Sequence, residues 1–253
     1  MWQMMSELIK KFLPPNQFKT QSYLENINKW SSQNEVKINE KKSNYIIFTR
    51  CQTEFVTRLK INNKNIDQMH AIKLLGVWIT EDLSWQLNCE ELCKKAYKRV
   101  SLLTKLKYVG VKKEDLILIY QLFIRSCMEY CSVIYHSSLT IEQSRMLECV
   151  QRVCLKVIFG QDYISYTHSL QKSYLSLLST RREKRILHFC HRALKHPRHK
   201  NMFPISEKFT NDTHQLRDHE KCVVNFANTN SYKNSFLPYA QRKLNTEHHM
   251  KKK

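Results

Sequence analysis

Phosphoryl-transfer chemistry needs two or more carboxylates converging on a metal pair, and this sequence is poor in them. Its six aspartates, Asp67, Asp82, Asp115, Asp162, Asp212 and Asp218, include no adjacent two. The acidic doublets Glu81-Asp82, Glu90-Glu91 and Glu114-Asp115 fall at or near expected helix starts, where an acid favours the helix dipole. Three cysteine pairs, Cys89 with Cys93, Cys127 with Cys131 and Cys149 with Cys154, have helical spacing. They lie in apolar helical patterns, where small thiols pack well, whereas zinc knuckles draw ligands from tight turns. The histidine run His188, His191, His196 and His199 sits among lysines and arginines that repel a cation and suit a phosphate instead. Neither a G-x-S-x-G elbow nor an H-E-x-x-H motif occurs, and the three glycines, Gly76, Gly110 and Gly160, cannot build a glycine-rich phosphate loop. The residues therefore point to no catalytic group, no metal site, no cofactor and no small-molecule substrate.

What the sequence does concentrate is positive charge. Lysine and arginine total 42 against 22 acidic residues, a formal charge of +20, which implies a polyanionic partner, the backbone of RNA or DNA. Two runs carry it. Lys94, Lys95, Lys98, Arg99, Lys105, Lys107, Lys112 and Lys113 follow one another with no acid between them. Arg181, Arg182, Lys184, Arg185, Arg192, Lys195, Arg198 and Lys200 are opposed only by Glu183. At helical spacing Lys94, Lys98 and Lys105 share a face opposite a leucine stripe, so one helix can pack on one side and meet phosphates on the other.

The elements that must position these runs read as α+β, mainly α. A leader of residues 1–17 ends at Pro14-Pro15. In residues 18–84 a capping box at Ser22 to Glu25 predicts a helix that buries Leu24, Ile27 and Trp30. Three strands should follow, at Tyr45–Arg50, Phe55–Ile61 and Ile72–Ile79, forming a small antiparallel sheet, with a tight turn at Asn62-Asn63. Residues 85–204 carry no proline between Trp85 and His196 and read as a helical bundle. Leu92, Ala96, Val100 and Leu103 mark one helix, stopped by Gly110. A second runs from about Lys113 to His136. A third is capped by Thr140 and Gln143 and buries Leu147, Val150, Cys154 and Ile158 before Gly160. A fourth opens on a capping box at Thr180 to Glu183. The polar residues 205–253 predict a weakly ordered tail. No apolar run approaches the roughly 20 residues of a bilayer span, and no secretory signal is legible. The expectation is an intracellular protein, in cytoplasm or nucleus, with free thiols and no membrane partner.

The order of segments resembles the non-LTR (LINE-like) retrotransposon reverse transcriptases, over about residues 20–245. Trp30-x3-Asn34, Ile38 to Ser43, Tyr45 to Phe48, Leu59 to Asn62, Lys73 to Ile79 and Asp82 to Trp85 match the stretch that follows the family's catalytic centre. Tyr120 to Ser126, Glu129-Tyr130, Leu147-Glu148, Leu178 to Glu183 and Asn234 to Asn245 continue the match. The resemblance implies the rear of a palm in residues 18–84, a primer-grip-like segment at Leu74, Leu75 and Gly76, and a thumb-like bundle in residues 85–204. Lys42 matches the lysine of the family's N-x2-K-[ST] segment. The family's magnesium-binding aspartates precede the matched region and have no counterpart here. The implied function is a fragment of an RNA-directed DNA polymerase, catalytically incomplete alone, that binds template-primer nucleic acid without sequence specificity through its two basic helices. The alternative is part of an active reverse transcriptase whose palm comes from another chain or a longer gene product.

Overall fold

A computed structural model describes residues 17–48, 58–204 and 222–251. Helices dominate, with small sheets confined to the first part of the chain. The chain divides between Ser84 and Trp85 into two compact units.

The first unit opens with helix α1, Gln17–Gln33, which begins before the capping box expected at Ser22. Its Leu24 packs on a small core of Leu59, Ile61 and Ile66, with Ile38 and Tyr45 alongside. Trp30 is 46 % exposed and does not join that face as expected. The Gln21 amide holds the edge of strand β2, Lys60–Ile61, twice. It donates to the Lys60 carbonyl at 3.1 Å and accepts from the Lys60 N–H at 3.0 Å.

The strands are shorter than expected. β1 is Asn44–Tyr45 alone and pairs in parallel with β4, Asp67–Gln68, so one of the three pairings is not antiparallel. β2 pairs antiparallel with β3, Lys64–Asn65, through the turn at Asn62-Asn63, both of which have positive φ (50° and 61°). Asparagine tolerates that conformation. Phe55 and Thr57, from the expected second strand, lie outside the described residues. The single strand expected at Ile72–Ile79 is a hairpin of β5, Ala71–Leu74, and β6, Val77–Thr80. It folds back at Leu75 (φ 47°) and Gly76 (φ 87°). A two-residue antiparallel turn with both φ positive matches the twist of its strands, and Gly76 supplies one of those positions without strain.

The second unit is built around α2, Gln86–Tyr108, and α6, Ile141–Phe159, packed against each other. Leu92, Ala96, Val100 and Leu103 of α2 meet Leu147, Val150, Cys154 and Ile158 of α6 in one core, the stripes that the helical spacing predicts. The Thr140 capping box forms: Thr140 Oγ1 accepts from the Gln143 N–H at 3.1 Å, and Gln143 returns the bond at 3.0 Å. Both helices stop at glycines with positive φ, Gly110 (86°) and Gly160 (55°).

The helix expected from Lys113 to His136 is broken. α3, Lys113–Ile119, continues through a π-helical stretch, Tyr120–Arg125, into α4, Ser126–Met128. The chain then turns at Cys131 (φ 51°) before the short α5, Ser132–Tyr135. Tyr135 is fully buried and its hydroxyl donates to the Met128 carbonyl at 2.8 Å across the break. After α7, Tyr166–Lys172, helix α8 spans Leu178–Lys195, so Thr180 lies inside it and does not cap it. The first N–H of α8, on Leu178, is met by the Glu148 carboxylate of α6, at 3.1 and 3.3 Å. A distant side chain thus takes the capping role that the local sequence suggested for Thr180.

The chain after residue 204 differs most from expectation. Residues 205–221 lie outside the described residues, but α9, Asn230–Lys233, and α10, Phe236–Lys251, follow. Ala240 and Leu244 of α10 are buried with Ile186, Cys190 and Ala193 of α8, Phe203 and Cys222 in a second core. A weakly ordered tail is therefore not what residues 222–251 form. Their polar composition hides an apolar stripe, Phe236, Ala240 and Leu244, with a four-residue period.

No single described helix is long and apolar enough to cross a membrane. The bent pair of segments Lys113–Met128 and Ser132–Ser138 has the length and composition, yet contributes Leu116, Tyr120, Ile124, Met128 and Tyr135 to the protein core.

Candidate nucleic-acid interface

The two basic runs are placed by the same device, an amphipathic helix, with different results. On α2 the packed stripe fixes the opposite face outward. Lys94, Lys98 and Lys105 are exposed there, within about 40° of one another around the helix axis at 100° per residue. Lys95 is half-buried beside them. Lys94 lies 3.4 Å from Glu91, a surface pair that contributes little. Tyr97 (44 % exposed) and Tyr108 (93 %) stand on the same side, so aromatic faces alternate with ammonium groups. That combination suits a sugar-phosphate chain with accessible bases.

Three of the remaining members of the first run are tied down. The Arg99 guanidinium donates to the Phe123 carbonyl and lies 5.9 Å from that ring's centroid. Lys107 reaches across to the end of α6 and donates to the Ile158 carbonyl at 2.6 Å, an orphan acceptor at a helix C-terminus that favours a cation. A Cβ on Gly160 would stand 2.7 Å from that ammonium, so glycine serves here both for its φ and for the close approach. Lys113 pairs with Asp162 at 2.7 Å and lies over the Phe159 ring. Lys112 is exposed.

The second run turns inward only at its start. Arg182 is fully buried. Its Nε donates to His136 Nδ1 at 3.3 Å and its Nη2 to Ser144 Oγ at 3.0 Å. Burial lowers its affinity for the proton, the expected direction for a cation away from water. The same burial, with Arg182 next, pushes His136 down to about 4. Arg181 grips Glu129 with two bonds, Nε to Oε1 at 2.5 Å and Nη2 to Oε2 at 3.2 Å. Arg185 donates to the Glu129 carbonyl at 3.0 Å and lies 3.4 Å from its carboxylate. Lys184, Arg185, Arg192, Lys195, Arg198 and Lys200 are exposed. Arg181 and Arg185 thus brace the break at Glu129, Arg181 through the carboxylate and Arg185 through the freed carbonyl, which needs a partner.

Sequence reasoning missed Glu129, whose side chain is 2 % exposed. The signal was present: one acid in the otherwise apolar and basic run from Leu116 to Tyr135, with two arginines four residues apart elsewhere. It also missed the polar core of Tyr120, Gln151, Tyr166 and Glu148. Gln151 is fully buried, accepts from Tyr120 and donates to Tyr166 at 2.8 Å and to the Ser176 carbonyl at 3.1 Å. The Tyr166 hydroxyl donates to Glu148.

In the first unit Lys42 is exposed at the end of a 3-10 turn, Glu40–Lys42. Leu74, Leu75 and Gly76 form the tip of the β5–β6 hairpin, with Leu75 61 % exposed. The acidic doublets are separately engaged. Glu81 meets His70 at 2.9 Å. Asp82 accepts from Thr80 and from the Ser84 N–H, which hold its carboxyl below the usual range. Glu90 accepts from Gln86 at 2.7 Å. Glu114 and Asp115 occupy the first turn of α3. Among the described residues no three histidine, cysteine, aspartate or glutamate side chains converge to hold a metal ion.

No family model, no curated protein and no solved structure matches the chain.

Proposed function

We propose that this protein binds nucleic acid of the template-primer kind through the outer face of α2, holding the backbone without reading sequence, as its resemblance to the thumb of LINE-like reverse transcriptases implies. One observation carries the reading. Lys94, Lys98 and Lys105 are exposed on one side of a helix whose other side is locked into the core by Leu92, Ala96, Val100 and Leu103. A rigid row of ammonium groups meets successive phosphates as point charges. It gives affinity that falls with salt and makes no base contact. Lys95, half-buried on α2, and Lys112, exposed at the start of α3, add positive charge in the same run. Lys107, Lys113 and Arg99 support the helix ends and packing.

The test is titration of duplex, RNA–DNA hybrid and single-stranded oligonucleotides by fluorescence anisotropy. Comparable affinities across unrelated sequences support the reading, and strong preference for one sequence contradicts it. Magnesium-dependent primer extension by the purified chain would favour the alternative, an active polymerase assembly.

A further inference from the structure

The α8 cluster holds more positive charge than its internal partners use. Arg125 and Glu129 lie one helical turn apart, the Glu129 N–H donating to the Arg125 carbonyl at 3.0 Å. Arg181 and Arg185 lie one turn apart on α8 and close on Glu129 from the other side. Among the described residues Glu129 is the one carboxylate within ion-pair distance of Arg181 and Arg185, so two guanidiniums share a single negative charge. Arg125's own bond is to a neutral group, Gln121 Oε1 at 3.2 Å. Its guanidinium is held below its ordinary value, first by burial and next by Arg181, which places those two cations in mutual repulsion.

Each guanidinium carries five N–H donors. Among the described residues, five of the fifteen here are engaged. The side chains of Arg181 and Arg185 remain 30 % and 48 % exposed, while Glu129 is buried beneath them. The buried carboxylate thus fixes two arginine forks from behind and leaves their outer edges toward solvent. Planar forks held in place lose little freedom on binding a tetrahedral oxyanion.

We propose that the outer edges of Arg125, Arg181 and Arg185 form a phosphate-binding site organised by Glu129. The ligand is a phosphoryl group, supplied either by a nucleic-acid backbone or by free phosphate. The site uses none of the α2 lysines and stands or falls separately from the α2 reading; only its backbone source deepens that reading.

Calorimetric titration of the full chain with inorganic phosphate, at constant ionic strength in chloride, tests it. Saturable binding at one site is expected. Arg125→Gln keeps a hydrogen-bonding side chain and does not touch Glu129, so the fold persists, checked by circular dichroism, while phosphate affinity falls at least tenfold. Arg185→Gln supplies the same test should that variant not fold. Lys98→Glu should leave phosphate binding unchanged while weakening oligonucleotide binding. Repeating the titration with saturating duplex separates the sources: loss of the phosphate signal assigns the site to the nucleic-acid backbone, and its persistence to free phosphate. No saturable binding, or undiminished affinity in Arg125→Gln, overturns the proposal.

Discussion

The basic runs on α2 and α8 look alike as strings of letters and differ in what their charges do. On α2 the long axis of positive charge is lysine on the solvent side, Lys94, Lys98 and Lys105, with Tyr97 between the first two and Tyr108 beyond the last. On α8 the charges nearest the helix start are arginines, and they find partners within the protein. Arg182 is sealed in the core, and Arg181 and Arg185 clasp a buried glutamate. The residue types fit those roles. A lysine is a hydrated point charge that stays outside, whereas an arginine's planar fork can satisfy a carboxylate and a carbonyl in partial burial. Charge density by itself does not separate an interface from a brace; helical phase relative to the core does.

The largest test of that contrast is ionic strength. If about six phosphates are neutralised, duplex affinity should drop on the order of a thousandfold between 50 and 200 mM salt. A flat response in an anisotropy titration would remove α2 from the account.

Acid should act on the α8 side instead. His136 is held down to about 4, chiefly by burial and then by Arg182, against about 6.5 in an unfolded chain. Between those values the unfolded state binds a proton that the folded state does not. Stability is therefore complete above about pH 6.5 and declines as pH falls toward 4, by about 3 kcal/mol at most. His136→Asn keeps an acceptor for Arg182 and should flatten the dependence of Tm on pH in that window.

Removing Glu129 should separate brace from interface more locally. Glu129→Ala leaves Arg181 and Arg185 partly buried without their anion, a cost of about 2 kcal/mol after allowance for their exposure. Lys98→Ala should change stability by less than about 0.5 kcal/mol. Chemical denaturation of both variants checks the pair, and equal effects would erase the distinction. A smaller effect than that of Glu129 is expected in the scaffold the two regions share. Thr140→Ala breaks the capping box of α6 and should cost about 1 kcal/mol by the same measurement, with oligonucleotide affinity unchanged.

The helical half was legible where apolar spacing and stop signals agreed. The stripe on α2, the Thr140 box and the glycines at 110 and 160 all appear where composition and spacing put them. Some misreadings come from contacts distant in sequence and others from local patterns that conceal an element. Thr180 has the letters of a cap, but the Glu148 carboxylate of another helix starts α8 two residues earlier. The run from Lys113 to His136 has no proline or glycine to announce its break, which is stabilised by Arg185 from α8 and by the Tyr135 hydroxyl. The hairpin at Leu75-Gly76 was hidden in a continuous apolar run, where a single glycine was the only turn signal. The C-terminal stripe of Phe236, Ala240 and Leu244 was masked by its polar neighbours. Of the proposed contact residues, helical phase correctly singled out the exposed face of α2, whereas nothing local distinguished Lys107 and Lys113, which reach to another helix, from Lys105, which does not.

The most direct measurement is duplex binding by a chain carrying Lys94→Glu, Lys98→Glu and Lys105→Glu together, at two salt concentrations, with circular dichroism to establish its fold. Affinity should fall at least a hundredfold at low salt, and the remaining binding should depend less steeply on salt. Undiminished affinity in that folded variant would contradict α2 as the nucleic-acid interface.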